Sequence, residues 1–412
     1  MWSLLHRALS RRALSRRPLP RHVVGGLIAW SVAGSCAAAL GAGSIDLDVY
    51  LRAASELAAG RDPNLTPPGH LPWLYPPFAA AVYLPLLTVP FPVAVVAVAL
   101  TSLAALARVL QLVLDRLAPG RPDLIAVCLA AAVVTEPVAS TLGYGQLNIV
   151  LAWLVTEGVL GRRRWLIGVA AGLKLTPLVF LLPLLLRRDL RGAAQLLAGF
   201  AGTVALGWLL APAASSGYWT GLVLTAPERI GIGYATNQSL TGAVARAVGP
   251  GGSLALTAAL SLVVVLATVV VLRRTSDEVL AVAVTGLAGL LLSPISWTHH
   301  WIWSLPLVLW CAANGRAALG SAWAILLIVR PTWWYPSGGI VEYSHDPLGK
   351  LIQDSWTLLA LVTLGLLTAR SGSSRAQLVA WRAKRKDPAD DDVQLGPHPA
   401  AQPAAGSAAV QP

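Results

Sequence analysis

The sequence predicts an all-α polytopic membrane protein, a bundle of about twelve transmembrane helices with re-entrant or interfacial helices on its outer face. Three observations predict it. Of 412 residues, 56% are hydrophobic and 12% charged, a balance foreign to a soluble enzyme and to a disordered chain. Apolar runs close to the roughly 20 residues that one spanning helix needs recur from Val23 to Ala369. The basic residues fall in short clusters between those runs. A net charge of +12 would suggest nucleic acid as the partner of a soluble chain, but here membrane topology accounts for it and no nucleic acid is expected.

Residues 1–22 form a basic N-terminus. The apolar run from Val23 to Leu40 follows Arg7, Arg11, Arg12, Arg16, Arg17 and Arg21 and resembles a signal peptide, with Ala37-Ala38-Ala39 as a cleavage region. Because many spans follow, an uncleaved first helix is expected. Spans are placed near 23–43, 93–114, 124–142, 147–160, 165–174, 176–186, 192–212, 254–272, 279–296, 299–314, 317–330 and 355–369, with both termini inside. The pair 165–174 and 176–186 is too short for two upright crossings and reads as a tight hairpin turning at Leu175. Residues 76–90 read as an interfacial or re-entrant helix on the outer side. Segments assigned to the inside hold 23 of the 31 Lys and Arg, against seven outside and Arg108 within a span. That asymmetry sets the orientation. Residues 23–369 are thus one transmembrane domain, and 370–412, rich in charge, proline and alanine, are expected to be a disordered cytoplasmic tail. Cys36, Cys128 and Cys311 lie inside apolar runs, so neither disulfide nor metal framework is implied.

With this orientation, polar residues that topology does not explain gather on the outer face: Asp46, Asp48 and Tyr50 in DLDVY, Tyr75 in YPPF, Gln146 and Asn148 in GYGQLN, Lys174 in KLTP, Arg229, Asn237 and Gln238 in NQS, and His299 and His300 in SWTHHW. Polar groups near hydrocarbon are costly unless they line a cavity or pair, so the accumulation points to a functional cleft. Asp46 emerges just past the first span. It is a candidate general base toward an acceptor hydroxyl, or it caps the helix that follows. Asp46-Leu47-Asp48 also spells D-x-D, a metal motif of nucleotide-sugar enzymes, but nucleotide sugars are cytoplasmic and no metal is expected.

His299 and His300 suit proton transfer or donation to a phosphate oxygen, or else belong to an interfacial belt with Trp297, Trp301 and Trp303. Lys174, beside a helix starting near Thr176, suits an anionic phosphate or snorkels to the interface. Arg229 and Arg246 are further phosphate candidates. Gln146, Asn148, Asn237 and Gln238 offer amides for sugar hydroxyls. Trp73, Trp219, Trp297, Trp333 and Trp334 offer flat faces to a pyranose or simply populate the membrane interface. Glu136, before Pro137 in the third span, is a second candidate carboxylate.

The ordered set DLDVY, LYPPF, GYGQLN, GLKLTP, NQSLTG and LLSPISWTHHW resembles the polyprenol-phosphate-mannose-dependent alpha-(1-2)-mannosyltransferases of actinobacteria, within the C-type glycosyltransferase superfamily. The resemblance implies a multi-helix fold in the plasma membrane, inverting transfer of mannose from a polyprenyl-phosphate-mannose donor, and a cell-envelope glycolipid or lipoglycan as acceptor, in phosphatidylinositol mannoside, lipomannan or lipoarabinomannan synthesis. It also implies Asp46 as base and carries the histidine motif onto His299 and His300. The proline-rich stretch GRDPNLTPPGHLPW departs from the pattern and leaves the acceptor open. A polyprenyl phosphate is already a competent leaving group, so no nucleotide and no cofactor is expected. Two alternatives remain at this point: a polyprenyl-phosphate-dependent arabinosyl or other glycosyltransferase, and a lipid or solute transporter or flippase. Transporters tend to repeat halves around the bilayer midplane, whereas this chain places its polar groups at one face.

Overall fold

The computed structural model describes residues 18–65, 69–225, 229–338 and 340–384, with side chains to Ala369. The basic arginines from Arg7 to Arg17 and the end of the tail from 385 on lie outside the described residues. The chain divides into two compact units, Met1–Thr368 and Ala369–Pro412; the described part of the second is the end of one long helix. Among the described residues there are helices and no strand, apart from an isolated bridge between Asn237 and Trp297. The chain is an all-helical, multi-pass membrane protein. Four helices are long and apolar enough to cross a bilayer singly, or six if each of two bent pairs counts as one span.

The first of these is α1 (Arg21–Gly41), followed at once by α2 (Ile45–Ala58), whose apolar and polar residues alternate at helical spacing. The short α3 (Pro77–Ala81) and a 3-10 turn at Leu84–Thr88 occupy the region expected to be re-entrant, each opened by proline. Next come α4 (Phe91–Leu117), α5 (Asp123–Ala132) and α6 (Glu136–Tyr144). The third predicted span, 124–142, is thus not one rod: α5 and α6 meet at 73°. Pro137 is responsible. It suits the first turn of a helix and lacks the N–H that a continuous helix would need, so the chain restarts at Glu136.

Then follow α7 (Asn148–Leu160), α8 (Trp165–Leu173), a 3-10 turn at Thr176–Phe180 leading into α9 (Leu181–Leu186), and α10 (Leu190–Leu210). The expected hairpin turns at Lys174 and Leu175. Here α8 and α10 pack almost backbone to backbone. A Cβ on Gly168 would lie 2.0 Å from the Leu196 carbonyl oxygen, and one on Gly172 would lie 2.0 Å from Thr203 Oγ1. Small residues permit such crossings between membrane helices, where lipid supplies no hydrophobic drive and close packing must hold the pair together.

The long loop after α10 carries α11 (Pro212–Gly217), a π turn at Tyr218–Leu222, α12 (Val223–Thr225) and α13 (Leu240–Val248). Beyond it lie α14 (Leu254–Arg274), α15 (Glu278–Leu292), a 3-10 turn at Thr298–Trp303, α16 (Ser304–Ala313) and α17 (Ala317–Val329). Last are α18 (Val341–Ser344), α19 (Pro347–Gln353) and α20 (Ser355–Lys384). Of these, α7, α15 and α16 bury most of their residues, while α1, α10 and α14 leave Trp30, Leu209, Leu262 and Val263 exposed. A face of that kind suits hydrocarbon rather than water.

The helix ends divide the chemistry. α1, α6, α8, α15 and α17 all finish just before residues that line one pair of cavities described below. At the other end of α7, ion pairs tie the bundle: Arg108 to Glu157 at 2.8 Å, and both Arg116 and Arg162 to Glu278. Arg116 also donates to the Leu160 carbonyl at 2.7 Å. Clustered arginines therefore have a packing role of their own. They close one end of the bundle while the opposite end stays hollow.

Candidate active site

A tight corner sets the first carboxylate. Gly43 and Ser44 both adopt positive φ, 76° and 47°, which breaks the helix and turns the chain between α1 and α2 within three residues. Ser44 fastens the corner, its N–H donating to the Gly143 carbonyl and its hydroxyl to Ala39 O. On the facing side Gly145, φ 71°, lets α6 turn under α2; a Cβ there would lie 2.7 Å from Leu47 Cβ. The result brings Gln146 to Asp46, with Gln146 Nε2 donating to Asp46 Oδ2 at 2.8 Å. Tyr50 donates in turn to Gln146 Oε1 and lies 3.3 Å from the Tyr75 hydroxyl. Each donor in that chain fixes the next, so the carboxylate is held from behind while its other side stays open.

Asp46 opens into a cavity of about 400 Å³ lined also by Tyr75, Tyr144, Tyr234, Trp297, His299 and Trp333. A second cavity of about 380 Å³ holds Lys174, Thr176 and His300. The two share Leu74, Tyr75, Ile230 and Trp297 as a common wall. The adjacent histidines explain the division: their rings stand perpendicular, 4.6 Å apart, and each faces a different cavity. Lys174 Nζ sits 2.8 Å from His300 Nε2, 3.3 Å from Asn148 Oδ1 and 5.6 Å from the centre of the Tyr75 ring. Among the described residues, His299 Nε2 and Asn148 Nδ2 are buried with no hydrogen-bond partner. Buried polar atoms are rarely left so unless something else meets them.

Electrostatics favour proton uptake at Asp46. Burial raises its pKa above the usual carboxylate value, opposed by the Gln146 hydrogen bond and by the Lys174 charge. The Tyr75 phenol is pushed up to about 12, first by burial and then by the nearby Asp46 charge, so it stays a neutral donor.

Several expected site residues stand elsewhere. Asp48 is exposed and lines neither cavity, and Arg229 is exposed with its guanidinium 3.5 Å from the Asn64 carbonyl. Asn237 and Gln238 are fully buried and their amides are taken by protein groups. Asn237 donates to Ile232 O and Pro294 O and accepts from the Ser296 N–H; Gln238 donates to Ala235 O and Gln353 O. They clamp the strand of backbone that carries Trp297, and so reach the site only through it. Arg246 is likewise buried, paired with Asp354 and bonded to the carbonyls of Gly233, Tyr234 and Asn237. Trp73 is buried behind Tyr50 and Tyr75, whereas Trp297 and Trp333 line the Asp46 cavity. Sequence reasoning missed Tyr144, Tyr234 and Thr236. Tyr144 lies inside the GYGQLN motif and was within reach; the other two precede the NQS run and carried no distinguishing signal.

The arrangement suits a transfer between two ligands. One cavity offers a carboxylate and aromatic faces, the next a lysine and a histidine for an anion, with a thin aromatic wall between them. Residues 73–294 match glycosyltransferase family 87. A polyprenol-phosphate-mannose-dependent alpha-(1-2)-phosphatidylinositol mannoside mannosyltransferase of Mycobacterium tuberculosis is 35% identical over 376 residues, 81% of this chain and 87% of that protein. A polyprenol-phosphate-mannose-dependent alpha-(1-2)-phosphatidylinositol pentamannoside mannosyltransferase of Mycolicibacterium smegmatis is 36% identical over 321 residues, covering 71% and 77%. Its Mycobacterium tuberculosis namesake is 34% identical over 384 residues, covering 88% of each chain. No solved structure matches.

Proposed function

Because the chain belongs to glycosyltransferase family 87, we propose that it is a polyprenol-phosphate-mannose-dependent mannosyltransferase that builds alpha-1,2-linked mannose onto a phosphatidylinositol mannoside or related lipoglycan. One observation carries the residue assignment: a carboxylate and a lysine–histidine pair occupy adjoining cavities with a shared wall. In this reading the acceptor enters the Asp46 cavity and the donor phosphate lies toward Lys174 and His300.

Asp46 takes the proton of the acceptor hydroxyl as its oxygen attacks the anomeric carbon. The bond from that carbon to the phosphate oxygen breaks, and the electron pair leaves with the polyprenyl phosphate. Lys174 and His300 donate to the leaving oxygen as charge gathers on it, and donors fixed in a water-poor pocket act more strongly than in water. His299, its Nε2 without a protein partner, faces the acceptor side and completes the polar lining with Gln146, while Asn148 steadies Lys174. Direct displacement inverts the sugar carbon, so a beta-linked donor yields an alpha-linked product. Trp297 and Tyr75, common to both cavities, flank the path of the mannosyl group. Holding two lipid-borne substrates across one wall supplies the proximity that makes the step effectively intramolecular.

The cavities open on the extracytoplasmic face of a twelve-span bundle with both termini in the cytoplasm, an orientation supported by the positive-inside distribution of arginines. The decisive test is Asp46→Asn assayed in membranes with labelled polyprenyl-phosphate mannose. Transfer is expected to fall at least about 100-fold, the usual contribution of a positioned base, with expression unchanged. Normal transfer by this variant would remove Asp46 from the mechanism.

A further inference from the structure

Glu136 is 1% exposed and lines neither cavity, yet three segments of the chain converge on its carboxylate. Its Oε1 accepts from Ser140 Oγ at 2.9 Å, from Thr298 Oγ1 at 3.0 Å and from Trp333 Nε1 at 3.2 Å, while Arg330 Nε lies 3.0 Å from Oε2. Thr298 opens the 3-10 turn that carries both histidines, and Trp333 follows α17. Both line the Asp46 cavity. The same helix α6 grips the turn a second time, where Thr141 Oγ1 donates to the His299 carbonyl at 3.0 Å, and it ends at Tyr144, two residues before Gln146, which holds Asp46.

A buried carboxylate is costly unless its charge is paired and its lone pairs are filled. Here Oε1 is met by Thr298 and Trp333 of the cavity wall as well as by Ser140, while Oε2 meets the Arg330 charge and has no hydrogen-bond partner among the described residues. The dependence runs both ways: the wall stabilises Glu136, and Glu136 fixes where the wall stands. Arg330 shares the constraint, since it sits at positive φ, 53°, a backbone conformation that a non-glycine residue holds only when its surroundings compensate.

We propose that Glu136 is a positioning residue that registers the histidine turn and Trp333 against Asp46, and thereby sets the fit of the acceptor sugar without touching it. This rests on the transfer reading above. It differs from a plain structural role in being graded: Thr298 and Trp333, which touch Glu136, line the acceptor cavity, whereas on the donor side only His300 shares the turn and Lys174 is held separately by Asn148 and the end of α8.

The test uses the full chain in membranes, with labelled polyprenyl-phosphate mannose as donor and a phosphatidylinositol mannoside preparation as acceptor, comparing Glu136→Gln, Thr298→Val, Trp333→Phe and the Glu136→Gln/Thr298→Val pair. Each single change is expected to raise the acceptor KM or lower kcat by roughly three- to tenfold, the range of one hydrogen bond, with the donor KM moving less than the acceptor KM. The double variant should lose little beyond the larger single loss, because Glu136→Gln weakens and Thr298→Val removes the same contact. Losses that multiply, or a donor KM that moves as much as the acceptor KM, would overturn the proposal. Amide hydrogen exchange in detergent reads the same coupling without substrate: exchange at residues 297–303 should rise in Glu136→Gln and Thr298→Val with α15 unaffected. An unchanged turn overturns the positioning role even in an active enzyme. A loosened turn in a protein that transfers no mannose would instead sink the transfer reading and leave this one standing.

Discussion

Asp46 keeps a carboxylate where burial opposes its charge, and Gln146 is the group that offsets this most directly. A base acts only when ionised, so activity falls as pH drops through its pKa, and a raised pKa brings that fall to higher pH. Gln146→Leu removes a contact that lowers the pKa. The acid limb of kcat/KM should therefore shift to higher pH, read from a pH profile with the labelled donor; an unmoved limb would mean that Gln146 does not support the working carboxylate. The sequence already made Asp46, Lys174 and the histidines legible, because charged groups among apolar runs have few reasons to be there. It could not separate them from Asn237 and Gln238. An amide that bonds backbone and an amide that bonds sugar use the same atoms, and only the direction in which the side chain is buried tells them apart. Glu136 shows the converse. Its position inside a span marked it as unusual, but its partners Thr298 and Trp333 lie 162 and 197 residues away in the chain.

Helices transmit position to the site as rigid pieces, and the α8–α10 crossing is the tightest of these joints. A methyl group at Gly168 would meet the backbone of α10 at 2.0 and 2.4 Å, whereas one at Gly172 would meet the side chain of Thr203, and one at Gly202 would meet nothing within 4 Å. Backbone cannot rotate aside as a side chain can. Gly168→Ala should thus cost the most, about 1–3 kcal/mol as overpacking in a well-filled core does, Gly172→Ala less, and Gly202→Ala close to nothing. Thermal unfolding in detergent gives the order, and because α8 ends at Lys174, Gly168→Ala should also depress transfer. Equal melting of all three would show that the joint relaxes. At this scale the sequence located the apolar segments well, since hydropathy follows each residue's own chemistry. It did not show the break between α5 and α6 or the corner at Ser44. Those depend on a single proline and on positive φ, which leave the hydrophobic pattern intact.

Sidedness is a property of the whole molecule, and it is the one on which a lipid-borne donor depends, since a nucleotide sugar would be within reach of a cytoplasmic cavity. Length alone identifies four to six crossings, because helices such as α7 and α17, 13 residues each, are too short to span hydrocarbon upright. In the twelve-span proposal they cross only where the bilayer thins around them or neighbouring helices cover their ends, and that proposal rests on charge rather than length. Charge and cavity then make a joint prediction. Asp48 is exposed beside the Asp46 cavity, and Arg188 is exposed in a turn at the opposite end of the bundle. In a chain whose Cys36, Cys128 and Cys311 are replaced by alanine, Asp48→Cys should react with a membrane-impermeant maleimide in intact cells, and Arg188→Cys only after lysis. The reverse pattern would turn the cavities toward the cytoplasm. It would then set the arginine clusters on the outside, against the orientation that positive charge normally imposes, and would remove the physical reason for a donor already carried across the membrane on a lipid.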